Sequence, residues 1–189
     1  MINGFLTKRK NILVKGRQLG ATTTTAAFIA HFILFQRDKN VLIIATKQET
    51  AKNMIRIIKT IFRYIPKWML DLGKITVDNR NSLELANGSR VKAITTSSDA
   101  GRSEAASLLI IDEAAHIQNL DEIWQGASPT TSTGGSVVIM STPNRNSAMP
   151  FINSMKMQEM TLTDLIADSE IMSIQIIRMK DITIDFLGG

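Results

Sequence analysis

The chain contains no cysteine among its 189 residues. Disulfides and thiolate-bound zinc are thereby excluded, and the composition suits a reducing compartment. Histidine is nearly as scarce: His31 and His116 are the only ones, so an imidazole-built metal centre is not expected. No apolar run approaches the roughly 20 residues that a membrane-spanning helix needs. The amino terminus, Met1 to Lys10, has too short an apolar segment to serve as a secretory signal. It reads instead as a helix end leading into a first strand.

What is present is enough for one domain with a sizeable core, since 44% of the residues are hydrophobic. The net charge is +5 and the isoelectric point about 9.6. That balance permits a nucleic-acid partner and equally serves solubility. The cluster Lys8-Arg9-Lys10 reads as a solvated face, because three charges do not define a DNA site.

The first half alternates strand and helix. Residues 11–15 read as a short buried strand, and Thr22 to Phe35 as a helix whose Ala26, Ala27, Ile29, Ala30, Ile33 and Leu34 form an apolar face. Asn40 to Ala45 is a fully apolar strand of the kind buried in a parallel sheet. Lys47 to Tyr64 reads as a second helix. Pro66 and Gly73 punctuate a loop, and Asn87-Gly88 between residues 82–85 and 90–94 is a hairpin signal. Apolar strands follow at 107–112 and 136–142. Repeated strand–helix–strand units indicate an α/β fold with a mainly parallel sheet. Beyond Asn144 the text changes and methionines crowd; residues 171–178 and 182–186 have strand character. Trp68 and Trp124 read as core or adenine-side packing residues.

Two stretches carry chemistry together. The strand ending at Lys15 runs into Gly16-Arg17-Gln18-Leu19-Gly20-Ala21-Thr22-Thr23 and then a helix. Unpaired N–H groups at a helix start bind phosphate, and Gly16 and Gly20 let the backbone approach it. Thr22 is placed to offer its hydroxyl to Mg2+. The usual pattern has lysine where Ala21 stands, so the positive charge must come from Arg17 or Lys15. Further on, Leu108-Leu109-Ile110-Ile111 ends in Asp112-Glu113. An aspartate at a buried strand tip can hold Mg2+, and the next carboxylate can deprotonate an attacking water. Each stretch alone has a plainer reading, a ligand-free glycine turn or an acid-decorated helix start. In this order and sheet context they are the signature of nucleoside-triphosphate hydrolysis. Ser141-Thr142-Pro143-Asn144 would place hydroxyls beside the γ-phosphate at the carboxyl edge of the sheet. Arg102 can reach phosphate, DNA or a neighbouring subunit, or stay solvated.

Arg17-Gln18-Leu19-Gly20-x-Thr22-Thr23, the strand ending in Asp112-Glu113-Ala-Ala, and Ser141-Thr142-Pro143-Asn144 together resemble the ATPase domain of the large terminase subunit of tailed phages, of the T-even-like type. Asn87-Gly88-Ser89 and Ser98-Asp99-Ala100 also fall where that family has them, and the resemblance spans roughly residues 5–145. It implies a RecA-like P-loop domain over residues 1–144, truncated at its amino end, and a divergent segment over 145–189. It implies an ATPase, with ATP and Mg2+, that drives double-stranded DNA into a procapsid. The family's roles map the nucleotide loop onto Lys15 to Thr23, the metal onto Thr22 and Asp112, catalysis onto Glu113 and a finger-like Arg17, and coupling onto Ser141 and Thr142. Portal protein, the small terminase subunit and a ring of like subunits are the implied partners, in the host cytoplasm at the procapsid. Nothing resembles the family's nuclease domain, so nuclease activity is not expected. A helicase-like DNA-dependent ATPase and an inactive nucleotide- or DNA-binding fragment are the alternatives.

Overall fold

A computed structural model of the chain describes residues 1–16, 18–70, 74–95, 105–118, 120–131, 134–142 and 172–177. Arg17, Gly73, Ser98, Asp99, Ala100, Arg102, Pro143 and Asn144 lie outside the described residues, as do 145–171 and 178–189.

A short helix α1 (Ile2–Thr7) precedes strand β1 (Lys10–Lys15). Then come α2 (Ala21–Phe35), β2 (Asn40–Ala45), α3 (Gln48–Tyr64) and the single turn α4 (Lys67–Leu70). Strands β3 (Ile75–Asn79), β4 (Ser82–Leu85) and β5 (Arg90–Thr95) form a meander. Strand β6 (Leu108–Asp112) is followed by a 3-10 turn at Ala114–His116, helix α5 (Leu120–Thr131), β7 (Ser136–Ser141) and β8 (Met172–Ile177).

The eight strands make one sheet in the order β3-β4-β5-β2-β6-β7-β1-β8. Only β4 runs against the rest. Every residue of β2 and β6 is buried, because helices cover both faces of the sheet. On one face α1, α2 and α3 pack over Leu13, Val41, Ile43, Ile110 and Met140. On the other, Leu120, Ile123 and Trp124 pack over Leu42, Ile44, Leu109, Ile111 and Ile139. Alternate residues of each strand serve opposite layers, as the period of two requires. Each fully buried Ile or Leu contributes about 1.5–3 kcal/mol relative to exposure, so these central strands hold the tips above them still.

Two features depart from the sequence reading. The segment after Pro66, taken as a loop, contains α4 and β3. Four of the five β3 residues are exposed, so no apolar alternation betrays the strand; it forms by pairing with β4. Trp124 is buried as expected, but Trp68 is 69% exposed and packs into no core. The strand character read at 171–178 is borne out: Met172–Ile177 pairs in parallel with β1, from Lys10↔Met172 to Lys15↔Ile177.

Candidate functional site

The sheet order puts β7 between β6 and β1. The tips of β1 and β6 are therefore next-neighbours, and the end of β7 lies between them. All three point their carboxyl ends to one edge, where open α/β sheets bind ligands.

After β1 the chain turns at Gln18 and Gly20, both left-handed with φ +59° and +72°. Gly20 precedes α2 and no side chain caps that helix. Its first N–H groups therefore face outward with their partial positive charge intact. Thr24 Oγ1 turns back onto the Gly20 carbonyl at 3.1 Å and firms the first turn.

The charged groups converge here. Lys15 Nζ donates to Asp112 Oδ1 at 3.2 Å and to Thr22 Oγ1 at 3.2 Å, and lies 3.7 Å from Glu113 Oε1. The Lys15 and Asp112 side chains are 8% and 2% exposed. A buried carboxylate needs a counter-charge, and the last residue of β1 supplies it by reaching past the end of β7. The second Asp112 oxygen, Oδ2, is 3.5 Å from Thr22 Oγ1. The Glu113 N–H donates to Asp112 Oδ1 at 2.9 Å, which fixes that carboxylate.

Glu113 is left-handed, with φ +53° and ψ +40°. A non-glycine residue in that region is uncommon and is held there by its surroundings. Those surroundings are visible. Thr142 Oγ1 donates to Glu113 Oε2 at 3.2 Å, and Ala115 N donates to Ser141 Oγ at 2.9 Å. Ser141 Oγ in turn donates to the Thr142 carbonyl at 3.0 Å. The β7 tip thus aims the glutamate through Thr142 and braces the turn behind it through Ser141. His116 Nδ1 lies 3.8 Å from Glu113 Oε2. Cysteine and histidine arithmetic set His116 aside; its spacing of three from Glu113 was the available signal.

A cavity of about 530 Å³ opens at this edge, lined by Lys15, Gly16, the segment Gln18 to Thr23, Glu113 and Thr142. One space is thus shared by all the described residues of the loop and by the glutamate. Arg17, expected here, and Arg102 lie outside the described residues. Among the described residues, the cation that reaches the acidic pair is Lys15.

The donor set suits a divalent metal of the hard, oxygen-seeking kind. Among the described residues no group of three or more Asp, Glu, His or Cys could hold a metal by itself. One carboxylate and one hydroxyl, Asp112 and Thr22, are the sparse protein share typical of Mg2+, which takes its other ligands from phosphate and water.

A parallel sheet with a glycine turn on one strand, an Asp-Glu tip on the next but one and a polar tip between them defines an ATPase domain of the P-loop, RecA-like class. Comparison with known proteins narrows the class. Residues 12–177 match the family "Terminase large subunit, T4likevirus-type, N-terminal", and the chain belongs to that family. The match runs past residue 145, where the resemblance read from the motifs stopped. Among solved structures, the large terminase ATPase domain of Thermus phage P74-26 superposes with a TM-score of 0.69 at 18% identity, covering 95% of this chain and 79% of that one. The large terminase of a thermophilic bacteriophage, in complex with ADP, gives 0.63 at 14% identity, over 92% of this chain and 41% of that one. The Phi-28 gp11 DNA packaging motor gives 0.51 at 16% identity, over 92% and 57%. The chain is accordingly the ATPase domain of a large terminase, the enzyme of a DNA-packaging motor, and the helicase-like alternative falls away.

Proposed function

We propose that this domain binds ATP with Mg2+ in the cavity at the carboxyl edge of the sheet and hydrolyses it to drive double-stranded DNA into a procapsid. The convergence of Lys15, Thr22, Glu113 and Thr142 around one space, with the buried Asp112 bonded to Lys15 behind them, carries this reading. The bare start of α2 takes the β- and γ-phosphate oxygens, and Lys15, in place of a lysine at position 21, supplies the positive charge. Asp112 and Thr22 hold the metal, which when bound offsets charge developing on the transferred phosphoryl group. Glu113, aimed by Thr142, accepts a proton from water as that oxygen bonds to the γ-phosphorus. The bond to the bridging oxygen breaks, leaving ADP and inorganic phosphate. Since Thr142 and Ser141 tie Glu113 and its turn to β7, departure of phosphate has a direct route into the sheet, which is the coupling role proposed for them.

The structural relative solved with ADP supports a nucleotide at such a fold. For the DNA, the outer face of α3 supports a contact. Lys52, Arg56, Lys59 and Arg63 recur at helical spacing and with Arg80 and Glu49 line a groove of about 300 Å³, in which Lys52 pairs with Glu49 and Lys59 with Asp78. The run spans about 16 Å at 1.5 Å rise per residue, the scale of a few backbone phosphates. Such contacts are sequence-independent and salt-sensitive. Portal protein, the small terminase subunit and a ring of like subunits complete the proposed setting, at the procapsid in the host cytoplasm. No helix among the described residues is long and apolar enough to cross a membrane.

The test is Mg2+-dependent ATP hydrolysis with DNA present, comparing the wild type with Glu113→Gln. Loss of a general base should lower turnover by about 10²–10⁴-fold while nucleotide still raises the melting temperature. Turnover equal in the two proteins would remove Glu113 from the role. Neither turnover nor a nucleotide-dependent melting shift in the wild type would favour the inactive fragment.

A further inference from the structure

Lys15 Nζ sits among the oxygens assigned to the metal, Thr22 Oγ1 at 3.2 Å and Asp112 Oδ1 at 3.2 Å, with the proposed base Glu113 Oε1 3.7 Å away. It is nearly excluded from solvent there, and so is Asp112. An ammonium can neutralise the Asp112 carboxylate, but it cannot do so while a divalent ion occupies the same oxygens, because two cations that close repel strongly in a poorly solvated space. The arrangement follows from where the lysine starts. From position 15, the end of β1, its side chain runs up beside β7 to the acidic tip, whereas position 21 lies on the first turn of α2.

The geometry points to Lys15 as a placeholder cation. It holds the metal site in charge balance before nucleotide arrives, and a divalent ion enters only by displacing it. A lone metal ion must expel the ammonium from its buried bond to Asp112, leaving it the partly exposed Glu113 carboxylate alone among the described residues nearby. Metal arriving with a nucleotide brings its own receiving groups, since the phosphate oxygens accept the displaced Nζ. Metal and nucleotide therefore load together, and without them the buried Asp112 keeps its counter-charge. This rests on the assignment of Asp112 and Thr22 to the metal given above.

The probe is Mn2+, followed by electron paramagnetic resonance without nucleotide. The wild type should bind it weakly. Lys15→Gln removes the charge but keeps a hydrogen-bonding head for Thr22 and Asp112, and should bind Mn2+ at least about ten-fold more tightly. The gain should vanish in Lys15→Gln with Asp112→Asn, and Lys15→Arg should exclude Mn2+ as the wild type does. Mn2+ should also raise the melting temperature of Lys15→Gln and leave that of the wild type unmoved. Equal Mn2+ affinity in Lys15→Gln and wild type would overturn the proposal. So would a wild type that binds Mn2+ alone as tightly as it binds Mn2+ with ADP, a measurement that needs no variant to fold. Mn2+ with ADP binding to the wild type, and failing to bind Asp112→Asn, checks the metal assignment itself; that result can stand while the placeholder role falls.

Discussion

The two ends of α2 are built in opposite ways. At its amino end the helix follows Gly20 with no side chain bonded to its first N–H groups. At its carboxyl end Asn87 Nδ2, from the β4–β5 hairpin, faces the carbonyls of Ile33, Leu34 and Gln36 at 2.8, 3.4 and 3.0 Å. Ser89 Oγ adds a bond to the Gln36 carbonyl at 2.8 Å and is itself fully buried. Both ends start with orphan backbone groups, as every helix does. Where the protein supplies partners the end is structural. Where it withholds them, next to a cavity and a buried ion pair, the end stands open, as the proposed phosphate site requires.

Mutations at the two ends should therefore separate affinity from stability. The largest effect belongs to Lys15→Ala. It should weaken ATP binding by about 10²-fold, the scale of a lost charge-assisted contact. It should also lower stability by up to about 3–5 kcal/mol, because Asp112 stays buried without its partner. Calorimetric titration and denaturant melts measure the two parts, and a larger affinity loss in Arg17→Ala would move the charge to the loop arginine.

Gly88→Ala comes next. Its φ is +82°, and a methyl group there would collide with the Asp38 carboxylate. A loss of about 2–4 kcal/mol in stability is expected, with nucleotide affinity unchanged in the folded protein. Gly20→Ala is the matched control at the other end. Its φ is +72° but nothing lies within 4 Å of the added carbon, so the cost is conformational alone, about 1 kcal/mol. Equal melting shifts for the two glycines would mean that the Asp38 contact yields freely.

Between these falls Asn87→Ala, which strips the amide from the α2 carbonyls and should lower stability by about 1–3 kcal/mol. ATP affinity should hold. A fall in affinity matching the fall in stability would show that the ends are coupled and would break the contrast.

Most of the sheet was legible because its central strands are apolar runs, and α3 because its apolar residues recur with a clear helical period: the expected strand at 40–45 is β2, and the helix ending at Tyr64 is α3. The hairpin was legible from Asn87-Gly88, but the second task of Asn87 was not. Nothing local indicates that its side chain reaches the end of a helix far upstream. For the site, the residue types in order told which strands carry it. They did not tell that Lys15 faces the acidic pair, since that depends on β7 lying between β1 and β6. Nor did they tell that Glu113 is left-handed, which is a product of its contacts rather than of its neighbours in sequence. β3 stayed hidden because an exposed outer strand has no need of apolar residues.

That same outer strand has a bearing on assembly. Among the described residues β3 ends the sheet, and an unpaired strand is a template for joining another chain. Here it is five residues long, irregular in register between Ile75 and Val77, and carries Asp78 in an ion pair with Lys59. Each of these blunts edge-to-edge joining. Copies of this domain crowded together are thus steered away from fusing their sheets into fibres along the β3 edge.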